Sequence, residues 1–220
     1  MKIISRLVLA IISPLLLSSF APEKEFTGTI VYNITYDMEN IDPQMASYLP
    51  KTMKMTVKAP FSKSEVSMGM GSNISIFNTE TGTGVSLMDM MGQKLAIQVT
   101  EEDIKEEMDS AGDVEVVKLD ETKEILGYTC KKAVVKVKEG DQELIVFYTD
   151  ELGTGLENEN NPLFKDIDGM MLEFSMNQNN MNMHFTAVNV DKRKVSDKEF
   201  ETPEGYKEVS REEMQSMFGM

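Results

Sequence analysis

Apolar and polar positions alternate with period two along most of the chain, which predicts strands with one dry and one wet face. In FTGTIVYNITYD, Phe26, Ile30, Tyr32, Ile34 and Tyr36 share one parity, and Thr27, Thr29, Asn33 and Thr35 take the other. Met53, Met55 and Val57 alternate with Lys54, Thr56 and Lys58, and Val66, Met68 and Met70 alternate with Glu65, Ser67 and Gly69. Leu95, Ile97 and Val99 repeat the pattern in GQKLAIQVT, and Ala133, Val135 and Val137 oppose Lys132, Lys136 and Lys138. Turn signals separate these runs at MGSN, TGTG, KEGDQ and NQNN. A single large meandering antiparallel sheet accommodates all of them.

Three short helices complete the prediction. Asp42-Pro43 offers an N-cap with Pro in the first turn, ahead of Met45, Tyr48 and Leu49 on one stripe. Thr100 precedes Glu101, Glu102 and Asp103, with Ile104 and Met108 four apart. Ser210 and Glu213 form a capping box before Met214, Met217 and Phe218. Each helix has one narrow apolar stripe, which predicts that each lies on the dry face of the sheet. The fold class is therefore mainly β (α+β). Segment 153–169, GTGLENENNPLFKDIDG, has neither period and is expected to be a surface loop.

The N-terminus changes the picture of where this domain works. Lys2 and Arg6 precede an apolar run from Leu7 to Phe20 that contains Pro14. Such a run is short for a membrane span and matches a secretory signal peptide, so 1–21 is expected to be removed. Residues 22–220 then form one domain, secreted to the periplasm, with no transmembrane anchor. No cysteine lies near the predicted signal, so a lipoprotein is not expected. The formal charge is −15, which repels phosphate backbones and argues against nucleic acid as a partner.

Candidate chemistry is sparse. The chain has one cysteine, Cys130, and one histidine, His184. Cys130 sits in a strand-like run and is expected to be buried. Nothing brings it to His184 as a nucleophile–base pair, and no Gly-x-Ser-x-Gly elbow or phosphate loop occurs. Asp166-Ile167-Asp168-Gly169 begins like a calcium loop, but its glycine comes too early. No catalytic residue, metal ligand or cofactor is therefore assigned, and the chain is not expected to be an enzyme.

Methionine is the anomaly, at 19 of 220 residues. Thioethers suit Cu(I), and they also suit an adaptable apolar lining. A tight turn at Gln178-Asn179 in GMMLEFSMNQNNMNMHFTAV would pair Met176 with Met181, Phe174 with Met183 and Leu172 with Phe185 on one face. His184 then falls on the opposite face with Ser175, Glu173 and Asn182, away from the sulfurs. The pattern favours an apolar lining made of Met53, Met55, Met68, Met70, Leu172, Phe174, Met176, Met181, Met183 and Phe185. Two other readings stand beside it: Cu(I) binding by clustered thioethers, and an envelope interaction module without a small ligand. The same residues would also serve as a closed core.

Three stretches carry a resemblance. ETKEILGYTCKKAVVKV (121–137), FYTDELGTG (147–155) and FETPEGYKEVS (200–210) resemble signatures of a secreted family of Gram-negative bacteria that carries a domain-of-unknown-function label. The fold of that family is similar to the LolA/LolB lipoprotein-carrier group. The resemblance implies a strongly curved antiparallel half-barrel, its concave apolar face partly covered by short helices. It also implies a lipid or lipoprotein acyl chain as the ligand in the concavity.

Overall fold

The computed structural model describes residues 25–37, 46–69, 71–138, 142–178 and 181–218. The predicted signal peptide, the start of the first predicted helix and Met70 lie outside these residues. The fold is mainly β, a large open curved sheet of twelve strands that does not close into a barrel.

Two meanders build it. The first runs through β1 (Thr27–Asp37), β2 (Thr52–Lys58), β3 (Phe61–Met68), β4 (Gly71–Asn78), β5 (Thr83–Met90) and β6 (Gln93–Val99). Helix α1 (Glu101–Ser110) then carries the chain to the far edge. The second meander returns through β7 (Val114–Ile125), β8 (Tyr128–Val137), β9 (Gln142–Thr149), β10 (Met170–Gln178) and β11 (Met181–Lys192). Strand β11 pairs antiparallel with β1 and joins the two meanders at the centre of the sheet. The last crossover brings β12 (Lys207–Val209) parallel to β6, followed by α2 (Arg211–Phe218).

Local chemistry explains the turns. Leu126-Gly127 and Met91-Gly92 are two-residue hairpin loops with φ of 53° and 82°, and 52° and 84°. Positive φ at both positions matches the right-handed twist of paired strands and favours Gly at the second. The LGY of the family-like motif is therefore a turn requirement. Both helices carry the caps their sequences announce. Thr100 accepts from the Asp103 backbone N–H at α1, and Ser210 accepts from that of Glu213 at α2.

The expected strand parity holds, and cross-strand registers extend it across the sheet. Ala187, Tyr32, Met53, Val66, Asn73, Met88 and Leu95 form one row on the inner face. On the inner face of β1, β2 and β8–β11 this produces the main core, where Ile30, Ala133, Val135, Val146 and Leu172 have no solvent exposure.

Among the described residues, no helix contributes a buried side chain to this core. Segment 150–169, of which 153–169 was expected to be a surface loop, covers it instead. Leu152, Phe164 and Ile167 are buried in the main cluster. Phe164 meets Phe174 edge-on at 5.8 Å, and Phe174 stacks on Phe185 at 4.6 Å. Helix α1, predicted to lie on the dry face, buries no residue. It is tied to α2 by the Arg211–Asp103 ion pair at 3.3 Å.

The sheet also changes its buried side. On β4–β6 the outer face carries Ile76, Leu87 and Ala96, covered by Val195 and Phe200 from the crossover after β11. Phe61 stacks on Phe200 at 5.4 Å. On the inner face of β6, Leu95 and Ile97 pack with Val209 and with Met214 of α2.

An ion pair fixes the crossover. Arg193 donates to both carboxylate oxygens of Glu199, at 3.0 and 2.7 Å. That guanidinium holds the Glu199 carboxyl down at about 2. A lowered acid stabilises the fold above the ordinary carboxylate range and loses its contribution as pH falls toward 2. Glu199→Gln is therefore expected to destabilise by about 1 kcal/mol at neutral pH, discounted for partial exposure. The difference from wild type should vanish in urea titrations near pH 2.

The hairpin at β10–β11 differs in register from expectation. Pairing closes on Gln178↔Met181, so Met176 faces Met183 and Phe174 faces Phe185. Against the expected pairing of Met176 with Met181, each partner is shifted by two residues. A two-residue shift preserves parity, so the faces stay as expected.

Candidate functional site

The ten lining residues separate into two environments. Leu172, Phe174, Phe185 and Met53 are buried in the main core. Met55, Met176, Met181 and Met183 are half-buried, and Met68 is exposed. Met70 lies outside the described residues. The sealed members support the fold, and the half-buried ones form an accessible apolar edge.

Register places this edge. Met176, Met183 and Tyr36 lie side by side across β10, β11 and β1. Further along the inner face come Val66 and Met68 on β3, then Met88 and Met90 on β5, opposite Asn73 and Gly71 of β4. Sequence reasoning missed Tyr36, Met88 and Met90 as members of this band. Its signal was present in SLMDMMG, where Met88 and Met90 alternate with Asp89. Next to the methionines runs a polar row, Ser64, Ser75 and Ser86 in direct cross-strand register, flanked by Met55 and Ile97. The inner face of β3–β5 is therefore amphipathic, with half-buried sulfur and hydroxyl side chains.

Beside the band lies a depression of ≈ 530 Å³. Ile34, Tyr36, Ala46 and Leu49 supply its apolar wall, with Asn33, Thr35, Lys51 and Thr52 at its margin. Tyr36 donates to the Pro50 carbonyl at 2.7 Å, which fixes the ring between β1 and the 46–52 segment. The volume falls within the range of small-molecule sites. A second depression of ≈ 640 Å³ lies at the other end of β1. Glu25, Glu151, Lys192, Arg193 and Lys194 line it, a set too charged for an apolar ligand.

His184 stands on the outer face, as parity predicts. Its Nε2 meets Asp37 Oδ2 at 2.7 Å and its Nδ1 meets Ser175 Oγ at 3.0 Å. Both ring nitrogens are engaged, with Met176, Met181 and Met183 directed to the opposite face. Asp37, His184 and Ser175 have the residue types of a hydrolytic triad, a grouping that long-range pairing creates and short motifs did not announce. They sit on β1, β11 and β10, where β1 has run past its pairing with β2 and β10 past its pairing with β9.

Cys130 is fully buried, as expected. Burial pushes its thiol up to about 11, with Glu151 and Glu173 adding to the effect, so it is not a thiolate nucleophile at neutral pH. Among the described residues, no group of three or more His, Cys, Asp or Glu side chains could hold a metal ion. No helix among them is long and apolar enough to cross a membrane.

An open, largely antiparallel sheet with a sealed core and a half-exposed inner margin defines a β-rich domain. The chain belongs to the family described as N-glycanase peptide, N-terminal domain, which it matches over residues 71–211. All three motif stretches fall inside that range. Its fold is similar to the solved structure of PNGF-II, with a TM-score of 0.54 at 16% identity, covering 88% of this chain and 33% of that one. The chain thus spans about a third of the length of PNGF-II. LprF from Mycobacterium bovis aligns at a TM-score of 0.34 and 9% identity, over 81% of this chain and 90% of LprF; that score carries no argument about fold. No curated protein matches.

Proposed function

We infer that this chain is a secreted, non-catalytic binding module that holds a lipid or acyl chain against the methionine band of its inner face. The observation that carries this reading is the position of Met176, Met183 and Tyr36 beside the apolar depression. Thioether side chains are unbranched and polarisable, so they repack around a flexible chain with little rotamer strain. The serine row supplies hydrogen-bonding groups for a polar head. The ligand lies along the margin, since Phe164 and its neighbours fill the deeper core. The family that the motif stretches resemble has a fold similar to the lipoprotein-carrier group, which agrees with this ligand class.

A non-catalytic role fits the buried neutral thiol of Cys130. Family membership favours a second reading. A domain named as the N-terminal part of an N-glycanase, and spanning a third of PNGF-II, suits an accessory module that engages a protein or glycan partner. Mass spectrometry of organic extracts from gently purified protein tests the first reading. A stoichiometric co-purifying lipid, reduced in a Met176→Ser/Met183→Ser variant, is expected. Absence of lipid together with no uptake of added lauric acid would overturn it.

A further inference from the structure

Glu157 occupies an unusual position. It lies in the short helical turn Leu156–Asn158, within the segment that seals the main core. Its Oε1 is shut off from solvent and has no hydrogen-bond partner. The carboxyl borders a cavity of only ≈ 10 Å³, shared with Glu25, Pro60, Ser62 and Thr79. That space suits about one water molecule.

The surroundings offer an anion little help. The charged groups acting on Glu157 are Glu25, just before β1, and Glu159 on its own segment, and both are acidic. Tyr32, from the floor of the core, feels the Glu157 charge but donates its own hydroxyl to the Met171 carbonyl. Lys58, at the end of β2, pairs instead with Asp197 at 2.6 Å. The other walls, from the β2–β3 turn and the end of β4, are Val57, Ala59, Phe61 and neutral hydroxyls. With no metal-holding cluster among the described residues, a proton is the species that neutralises this site.

The turn is held at two points, its far end by the Asn158 amide on the Ile167 and Gly169 carbonyls. Its near end is held to Glu25 by two bonds from Thr154, one from the hydroxyl at 2.7 Å and one from the backbone N–H at 3.4 Å. Gly153 and Gly155 precede it, at φ of 100° and 78°.

We propose that residues 153–160 form a proton-controlled latch over the core, seated when Glu157 is neutral and released when it ionises. Burial, opposed by a hydrogen bond from its own backbone and reinforced by Glu25 and Glu159, raises the Glu157 carboxyl to about 7. A raised acid favours the seated form at low pH. That preference is lost as pH climbs from the exposed carboxylate range through 7. The latch stands independently of any ligand on the methionine band.

Hydrogen exchange of the full chain without ligand, corrected for intrinsic rates, tests it. A carboxyl titrating near 4.5 when exposed and near 7 when seated changes its opening constant by about 70-fold between pH 5 and pH 8. Peptides over 153–160 should show an increase of that order, with β10 unchanged. Glu157→Gln, close in shape to the neutral acid, should stay seated and show a flat profile. A flat wild-type profile, an equal rise in the Gln variant, or a parallel rise in β10 would each overturn the proposal.

Discussion

Phe164→Ala is expected to destabilise the protein by about 3–5 kcal/mol, the range for truncating a buried aromatic. Phe164 comes from irregular backbone, yet only 1% of it is exposed, a level shared with core strand residues. It closes over Phe174, which in turn touches Tyr32 at 5.7 Å and Phe185 at 4.6 Å. Removing the ring therefore opens a void above three aromatic side chains on three different strands. Urea unfolding followed by circular dichroism reads the loss directly. A change below about 1 kcal/mol would mean that the segment behaves as a surface loop.

Asn158→Ala should have the next largest effect, about 2–4 kcal/mol, because it orphans two buried acceptors. The Asn158 amide donates to the carbonyls of Ile167 and Gly169 at 3.1 and 3.0 Å. These bonds fold the segment back on itself and hold Ile167 in the core. The side chain is 2% exposed, so water does not replace the lost donor without rearrangement. Asn158→Ala should also speed amide exchange at 167–169 more than it speeds exchange in β7. Uniform acceleration across the sheet would assign the amide to global stability alone.

Strand identity was legible because period-two alternation is a direct consequence of the pleat. The Phe26–Tyr36 run, the two methionine pairs and the side of His184 all follow from it. Capping residues were equally readable, since Thr100 and Ser210 each meet a backbone N–H three residues on. The plug was not legible, because its side chains reach the core from turns without a fixed period. Its polar letters, ENENN, suggested solvent, although Asn158 is the residue that folds it. A better signal was Leu163, Phe164 and Ile167 lying between glycines that permit close approach.

The change of buried side was hidden for another reason. In GVSLMDM both parities carry apolar residues, Val85 and Leu87 on one and Met88 and Met90 on the other. Periodicity alone cannot say which pair is covered. The crossover carrying Val195 and Phe200 decides it, and its docking depends on contacts distant in sequence. The same applies to the candidate site: its methionines were visible, but the division between sealed and accessible ones depended on where Phe164 lands.

Methyl-selective NMR of methionine-labelled protein titrated with lauric acid tests the binding account most directly. Saturable shifts are predicted at Met176 and Met183, extending to Met68, Met88 and Met90. The core residue Met170, 1% exposed, and the turn residue Met91, 84% exposed, should not move. Shifts confined to Met91, or none at the band up to millimolar ligand, would contradict it.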